Sequence, residues 1–85
     1  MNIIPGGKVA IVDLASMRQG EGGRVVRIKG GRGLQRRLEV LGVRVGVRIE
    51  KVSGYFMRGP VVVRSGNTEV AIGYGMARRI MVEVL

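Results

Sequence analysis

Hydrophobic and polar residues alternate along several short stretches of this chain, which is the pattern of half-buried β-strands. The first clear case is residues 23–30, GRVVRIKG. Alternation there places Val26 and Ile28 on one face and Val25 with Arg27 on the other. The pattern predicts the first long strand of the fold at this stretch.

Four later stretches complete a count of about five strands. The apolar positions assigned to the core are Val45, Val47 and Ile49 in residues 44–54, Val70, Ile72 and Tyr74 in residues 69–75, and Ile80, Val82 and Val84 in residues 80–85. Residues 61–64, VVVR, form the remaining strand. Gly66-Asn67 then suits a two-residue hairpin turn. Residues 8–15 fit either an edge strand or a single helical turn.

One stretch has helical periodicity instead. In residues 34–41, LQRRLEVL, the three leucines at positions 34, 38 and 41 fall on one face, and Gly42 is a suitable helix stop. Eight residues are too few for a stable isolated helix, so this helix must dock on the rest of the fold. Residues 76–79, MARR, can add one more helical turn near the C-terminus.

These elements predict a mainly β fold in a single domain, residues 1–85. The chain has 85 residues, and its 15 glycines predict many bends between short strands. It has no cysteine, so it has no disulfides. Five short strands cannot make two covered sheets at this length, but they can curl into a barrel. We therefore expect a small SH3-like barrel with one inserted helix and a C-terminal helical turn.

The charge balance favours an anionic partner without identifying it. Fifteen Lys and Arg against six Asp and Glu give a formal net charge of +9. Nucleic-acid binding is the alternative reading, since six cations occur between residues 24 and 37. Sequence-tolerant binding on small barrels usually uses aromatic stacking, however, and only Tyr55, Phe56 and Tyr74 are aromatic here.

Side chains that carry catalysis are scarce. Histidine and cysteine are absent, and the six acids are scattered singly, so we expect no enzyme, no metal site and no cofactor. The glycine-rich stretch 30–33 is not a Walker A loop, because Leu34 and Gln35 follow it where lysine and a hydroxyl residue are required. It also lacks the last glycine of the dinucleotide-binding pattern.

The remaining candidates are docking residues. If the leucines face the core, Arg36 and Val40 lie about 40° apart on the outer face of the helix. The predicted loop at residues 54–60, GYFMRGP, contains aromatic and methionine side chains, which are enriched at interfaces. One of these side chains could instead cover the end of the barrel. The predicted partner-docking residues are Arg32, Arg36, Arg37, Val40, Tyr55, Phe56 and Met57.

The expected compartment is the cytoplasm. No apolar run approaches the roughly 20 residues of a membrane span, the N-terminus has no signal-peptide layout, and there are no cysteines. We expect no direct membrane insertion. An exposed barrel edge could pair two copies into a weak homo-oligomer.

The pattern DLASMRQGEGGRVVRIKGG followed by LQRRLEVLGVRVGVRIE resembles the FeoA domain, over roughly residues 11–84. The positions that carry the resemblance are Leu14, Gly20, Val26, Ile28, Leu34, Arg36, Arg37, Leu38, Leu41, Gly42, Gly46, Gly59, Pro60, Gly66, Ile72, Ala77, Ile80 and Val82. The arginine pair within L-x-R-R-L-x-x-L-G is the more specific part. A departure is GYGMA at residues 73–77, where relatives tend to carry charged residues.

The resemblance implies an SH3-like barrel and a non-catalytic accessory role in bacterial ferrous iron uptake. It implies as partner FeoB, a membrane permease with a cytosolic GTPase domain. Related barrels occur at the C-terminus of iron-dependent repressors. No helix-turn-helix region precedes the barrel in these 85 residues, so a repressor would require further sequence.

Overall fold

The structure is a computed structural model, and it describes residues 3–4, 8–54 and 59–85. Two α-helices and one 3-10 helix interrupt a run of strands. In chain order the elements are β1 (Ile3–Ile4), β2 (Lys8–Val9), β3 (Ile11–Asp13), the 3-10 helix (Leu14–Ser16), β4 (Gly22–Ile28), α1 (Arg32–Val40), β5 (Arg48–Gly54), β6 (Val61–Ser65), β7 (Thr68–Ile72), α2 (Tyr74–Ala77) and β8 (Ile80–Val84).

Six of these strands form one antiparallel sheet in the order β3-β8-β4-β5-β6-β7. The last strand, β8, lies between two strands from the first third of the chain, so the sheet is complete only when the C-terminal strand is in place. β6 and β7 form the predicted hairpin, in which Ser65 pairs with Thr68 around Gly66-Asn67. β1 and β2 form a separate antiparallel pair. The predicted mainly β, SH3-like fold is confirmed.

The core draws on every long strand of the main sheet and on both α-helices. Its buried apolar residues are Leu14, Met17, Val25, Ile28, Leu38, Val43, Ile49, Val61, Val63, Ile72, Ala77, Ile80, Val82 and Val84. The alternation predicted for the last strand is confirmed, since all three of its predicted core positions are buried. The sequence of residues 8–15 fits either an edge strand or a helical turn, and the structure has both: β2 and β3 are followed by the start of the 3-10 helix.

The predicted faces of β4 are wrong in part. Val25 and Ile28 are buried, whereas Val26 is only partly covered. The pairing of β4 with β8 shifts register between Val25 and Arg27. A bulge of this kind adds one residue to the strand, so inward-facing positions before and after it no longer share the same parity.

The strand predicted at residues 44–54 starts later, at Arg48. Val45 lies in a turn and is 59% exposed, so its assignment to the core is wrong. The turn is closed by the Val47 N–H, which donates to the Arg44 carbonyl at 3.1 Å, and Gly46 within it has a φ of +96°. Val43, one residue before this stretch, is buried instead and packs in the core directly after α1.

The two helices occupy slightly different residues from those predicted. α1 begins at Arg32, buries Leu38 and packs Leu34 and Leu41 partly against the core. Gly42 follows it with a φ of +86°, the left-handed conformation that ends helices and favours glycine. α2 begins at Tyr74, which was predicted to end a strand; Gly73 has ended β7 by then, and Tyr74 is half-buried.

Candidate docking surface

The outer face of α1 carries three of the predicted docking residues in a line. Arg32, Arg36 and Val40 are spaced by four residues, so they form a stripe along the helix. All three are exposed, and Val40 is 82% exposed. Buried Leu38 and the partly buried Leu34 and Leu41 on the opposite side fix this orientation. We refer to Arg32, Arg36 and Val40 as the α1 stripe.

The cations of the α1 stripe are available to a partner. Within the described part of the chain, neither Arg32 nor Arg36 takes part in an ion pair. Both line a shallow depression of about 220 Å³ together with Gln35 and Glu39. A guanidinium presents several donors in one plane and can bind a carboxylate through two parallel hydrogen bonds. The surface can therefore bind a partner through charge and one apolar contact.

Arg37 belongs to a different surface. It is exposed, but it lines a cleft of about 680 Å³ that separates α1 from α2. One helical position is about 100°, which is enough to move Arg37 away from Arg36 and towards α2. The structure therefore divides the four predicted helix residues between two surfaces. The other three predicted docking residues, Tyr55, Phe56 and Met57, lie outside the described residues.

Two carboxylates stabilise the turns around the 3-10 helix. Asp13 caps that helix, since its carboxylate accepts hydrogen bonds from the Ser16 N–H at 2.9 Å and the Ser16 hydroxyl at 3.1 Å. Glu21 accepts from the backbone N–H of Arg18 at 2.6 Å. These side chains satisfy local backbone donors, which is a structural use of an acid.

Two further carboxylates share one arginine. The Arg64 guanidinium contacts Glu69 at 2.6 Å and Glu50 at 3.3 Å across β5, β6 and β7. The hydrogen bond and charge of Glu69 raise the pKa of Arg64 above its usual value, with a smaller effect from Glu50. Among the residues that the structure describes, no three acidic side chains come together in a group that could hold a metal ion.

One buried functional group was missed by the sequence reasoning. Lys51 on β5 is only 5% exposed, and its ammonium group donates to the carbonyl of Ala15 at 2.9 Å and of Met17 at 2.5 Å. Burial lowers its pKa, while the charges of Asp13 and Glu21 partly oppose that effect. The alternation of β5 contains the signal, because Lys51 is two residues from buried Ile49 and shares its face. Lys51 holds the 3-10 segment against the sheet.

The described residues offer no stacking platform for nucleic acid. Tyr74 is the one aromatic residue among them, and it is half-buried beneath Arg78, whose guanidinium carbon lies 5.8 Å from the ring centre. No helix in the same part of the chain has the length and apolar character needed to cross a bilayer.

Comparison with known families gives one match that covers most of the chain. The model of the FeoA domain matches residues 12–84. A protein of Methanocaldococcus jannaschii, provisionally named Fe(2+) transport protein A, is 34% identical over 70 residues. That alignment covers 82% of this chain and 83% of the relative.

Solved structures give the same picture of the fold. A crystal structure of an iron uptake regulatory protein, FeoA, is 34% identical, superposes with a TM-score of 0.85, and is covered in full by 89% of this chain. A manganese-dependent transcriptional repressor superposes with a TM-score of 0.82 at 25% identity over 96% of this chain. This chain spans 49% of that repressor.

Proposed function

This chain belongs to the FeoA domain family, and we propose that it is a non-catalytic accessory protein of ferrous iron uptake. In this proposal it works on the cytosolic side by docking on the cytosolic part of an FeoB-type permease with a GTPase domain. The family match and the relatives named for iron(II) transport and iron uptake support the transport role. Docking as the mode of action is supported by the chemistry of the exposed face.

The observation that carries the docking proposal is the α1 stripe. Two guanidinium groups without an ion pair in the described residues lie in line with a valine that is 82% exposed. Four of the six carboxylates meanwhile hold turns or pair with Arg64. Reactive groups are scarce and recognition groups are exposed, so the protein acts by presenting shape and charge to another protein.

The size of the stripe indicates a modest affinity. Burying most of an exposed valine stabilises a complex by about 1–2 kcal/mol. Each exposed arginine that finds a carboxylate adds about 0.2–1 kcal/mol. A contact of this strength forms and dissociates readily.

A pull-down with the permease tests the stripe directly. The double variant Arg36→Glu, Val40→Asp reverses one charge and places an acid at the apolar position. It is expected to recover at least about tenfold less permease than the unmodified chain, because an ion pair becomes a repulsion and the apolar contact is lost. Circular dichroism verifies that the variant remains folded.

The matched control is Arg44→Glu, Val45→Asp, in the exposed turn after α1. It changes the same residue types and the same net charge, and Val45 is 59% exposed. Recovery of the permease by this control is expected to stay close to that of the unmodified chain. Equal recovery by all three folded proteins, or equal loss in both variants, would contradict docking through the α1 stripe.

The net charge of +9 supports nucleic-acid binding as a second candidate. Filter binding with mixed DNA and RNA at low and physiological salt decides between the two. Binding that persists at about 150 mM salt would support this candidate, while binding that disappears there is nonspecific attraction to phosphates.

A further inference from the structure

A second surface, separate from the α1 stripe, concentrates positive charge in a concave site. It is the cleft of about 680 Å³ between α1 and α2, which we call the basic cleft. The residues that line it are Lys29, Gly30, Gly31, Leu34, Arg37, Gly75, Met76, Arg78 and Arg79. Four of them are cations and none is acidic, so the walls carry a formal charge of +4.

Contacts around the cleft join the segment that follows β4 to the segment that precedes β8, and position Arg78. The Lys29 N–H donates to the Arg79 carbonyl at 2.7 Å, and the Arg79 guanidinium reaches the Lys29 carbonyl at 3.5 Å. Arg78 is positioned over the ring of Tyr74 at 5.8 Å. Cations gathered on low-dielectric walls repel one another and raise the positive potential inside the cleft. A negatively charged ligand relieves that repulsion.

The floor of the basic cleft is apolar and open. Leu34 and Met76 are both half-buried and pack partly against the core, so each presents its remaining surface to the cleft. Methionine adapts its shape to different apolar partners. Gly31 and Gly75 also line the cleft, and the space beside each is open, since a Cβ atom added to either would have no atom within 4 Å.

We propose that the basic cleft binds an acidic segment of another protein, with an apolar side chain on the floor and carboxylates against the surrounding cations. Charge complementarity with four cations and no acid supports an acidic partner. The apolar floor favours a peptide over nucleic acid, since phosphates and sugars offer nothing aliphatic to cover Leu34 and Met76. The concave shape disfavours a membrane surface, which presents headgroups in a plane. This inference goes beyond docking through the α1 stripe, because it concerns another face and requires no permease.

A titration followed by NMR tests the proposal on the whole chain. The probe is a short peptide whose central leucine is flanked by glutamates. Backbone amide shifts are expected to change most at Gly30, Gly31 and Gly75, which mark both walls of the cleft. A version with serine for leucine is expected to bind at least about threefold more weakly, and a version with lysine for glutamate is expected not to bind. Shift changes spread evenly over the basic surface would overturn the proposal.

Matched variants separate the cleft from general attraction to a basic protein. Arg37→Gln with Arg78→Gln removes two exposed cations from the cleft, and Arg24→Gln with Arg44→Gln removes two exposed cations elsewhere. The first pair is expected to weaken peptide binding at least about fivefold and the second less than twofold. Equal weakening by both pairs, or displacement of the peptide by short duplex DNA at equal charge concentration, counts against a peptide site. The permease pull-down tests only the α1 stripe and the peptide titration tests only the basic cleft, so either proposal can fail while the other stands.

Discussion

Replacing Lys51 by methionine is expected to destabilise the fold, because Lys51 is the buried donor that joins the 3-10 segment to the sheet. The methionine side chain keeps most of the aliphatic stem but has no hydrogen-bond donor. The carbonyls of Met17 and Ala15 then lose the ammonium donor that contacts them at 2.5 and 2.9 Å. The backbone of Lys51 continues to pair with Gly20 and Glu21, so the loss is confined to the side chain.

The expected loss is about 2–3 kcal/mol. A buried carbonyl left without a donor costs about 1–3 kcal/mol, which applies in full to Met17. The Ala15 carbonyl is partly exposed, so water replaces some of its lost bond. Removal of a buried charge returns part of the cost, because the ammonium group no longer has to be desolvated. For a domain of this size the loss lowers the melting temperature by about 10–20 °C.

Urea unfolding followed by far-UV circular dichroism measures this change. Lys29→Met is the matched control, since Lys29 is exposed and its substitution is expected to change stability by less than about 0.5 kcal/mol. A loss below about 0.5 kcal/mol in Lys51→Met, or a gain, would refute the reasoning. It would mean that desolvation of the ammonium group cancels both hydrogen bonds.

Two further predictions concern pH and backbone packing. Burial lowers the pKa of Lys51 in the folded state below its ordinary value of 10.5. Between that lowered pKa and pH 10.5, the unfolded chain therefore binds more protons than the folded chain. Urea midpoints should therefore show the stability advantage of the unmodified chain over Lys51→Met growing as pH rises towards 10.5, and a shrinking advantage would contradict the lowered pKa. Gly23→Ala should destabilise by about 2 kcal/mol or more in thermal unfolding, because its Cβ would lie 2.5 Å from the Glu83 carbonyl oxygen and from Val82. Gly33→Ala, with open space around it, should cost nothing; equal stability of the two variants would rule out the clash.

The exposure of the α1 stripe could be predicted from the sequence, whereas its docking role stays a prediction. Leucines at helical spacing define the buried side of α1, and the exposed side follows from geometry. Arg36 and Val40 are accordingly where the pattern places them. Arg37 is also a predicted docking residue, yet it faces the basic cleft. That cleft is lined by residues from distant parts of the chain, among them Lys29 and Arg79, which are 50 residues apart and in contact.

Errors in the predicted strands have a common cause. Alternation assumes that a strand keeps one register from end to end, and β4 breaks that assumption with a bulge between Val25 and Arg27. The turn at Arg44–Val47 similarly interrupts a stretch in which apolar residues occur at every second position. Bulges and turns of this kind depend on the partner strand, which is distant in the sequence.

The sequence by itself determined the type of most of the longer elements, the stop at Gly42 and the hairpin at Gly66-Asn67. These depend on periodicity and backbone preference, which act between residues a few positions apart. Only the tertiary structure decided that a lysine is buried, that β8 lies between β3 and β4, and that two helices enclose a basic cleft. Each of those brings together residues from distant parts of the chain, and no local pattern specifies which distant segment a strand or side chain will meet.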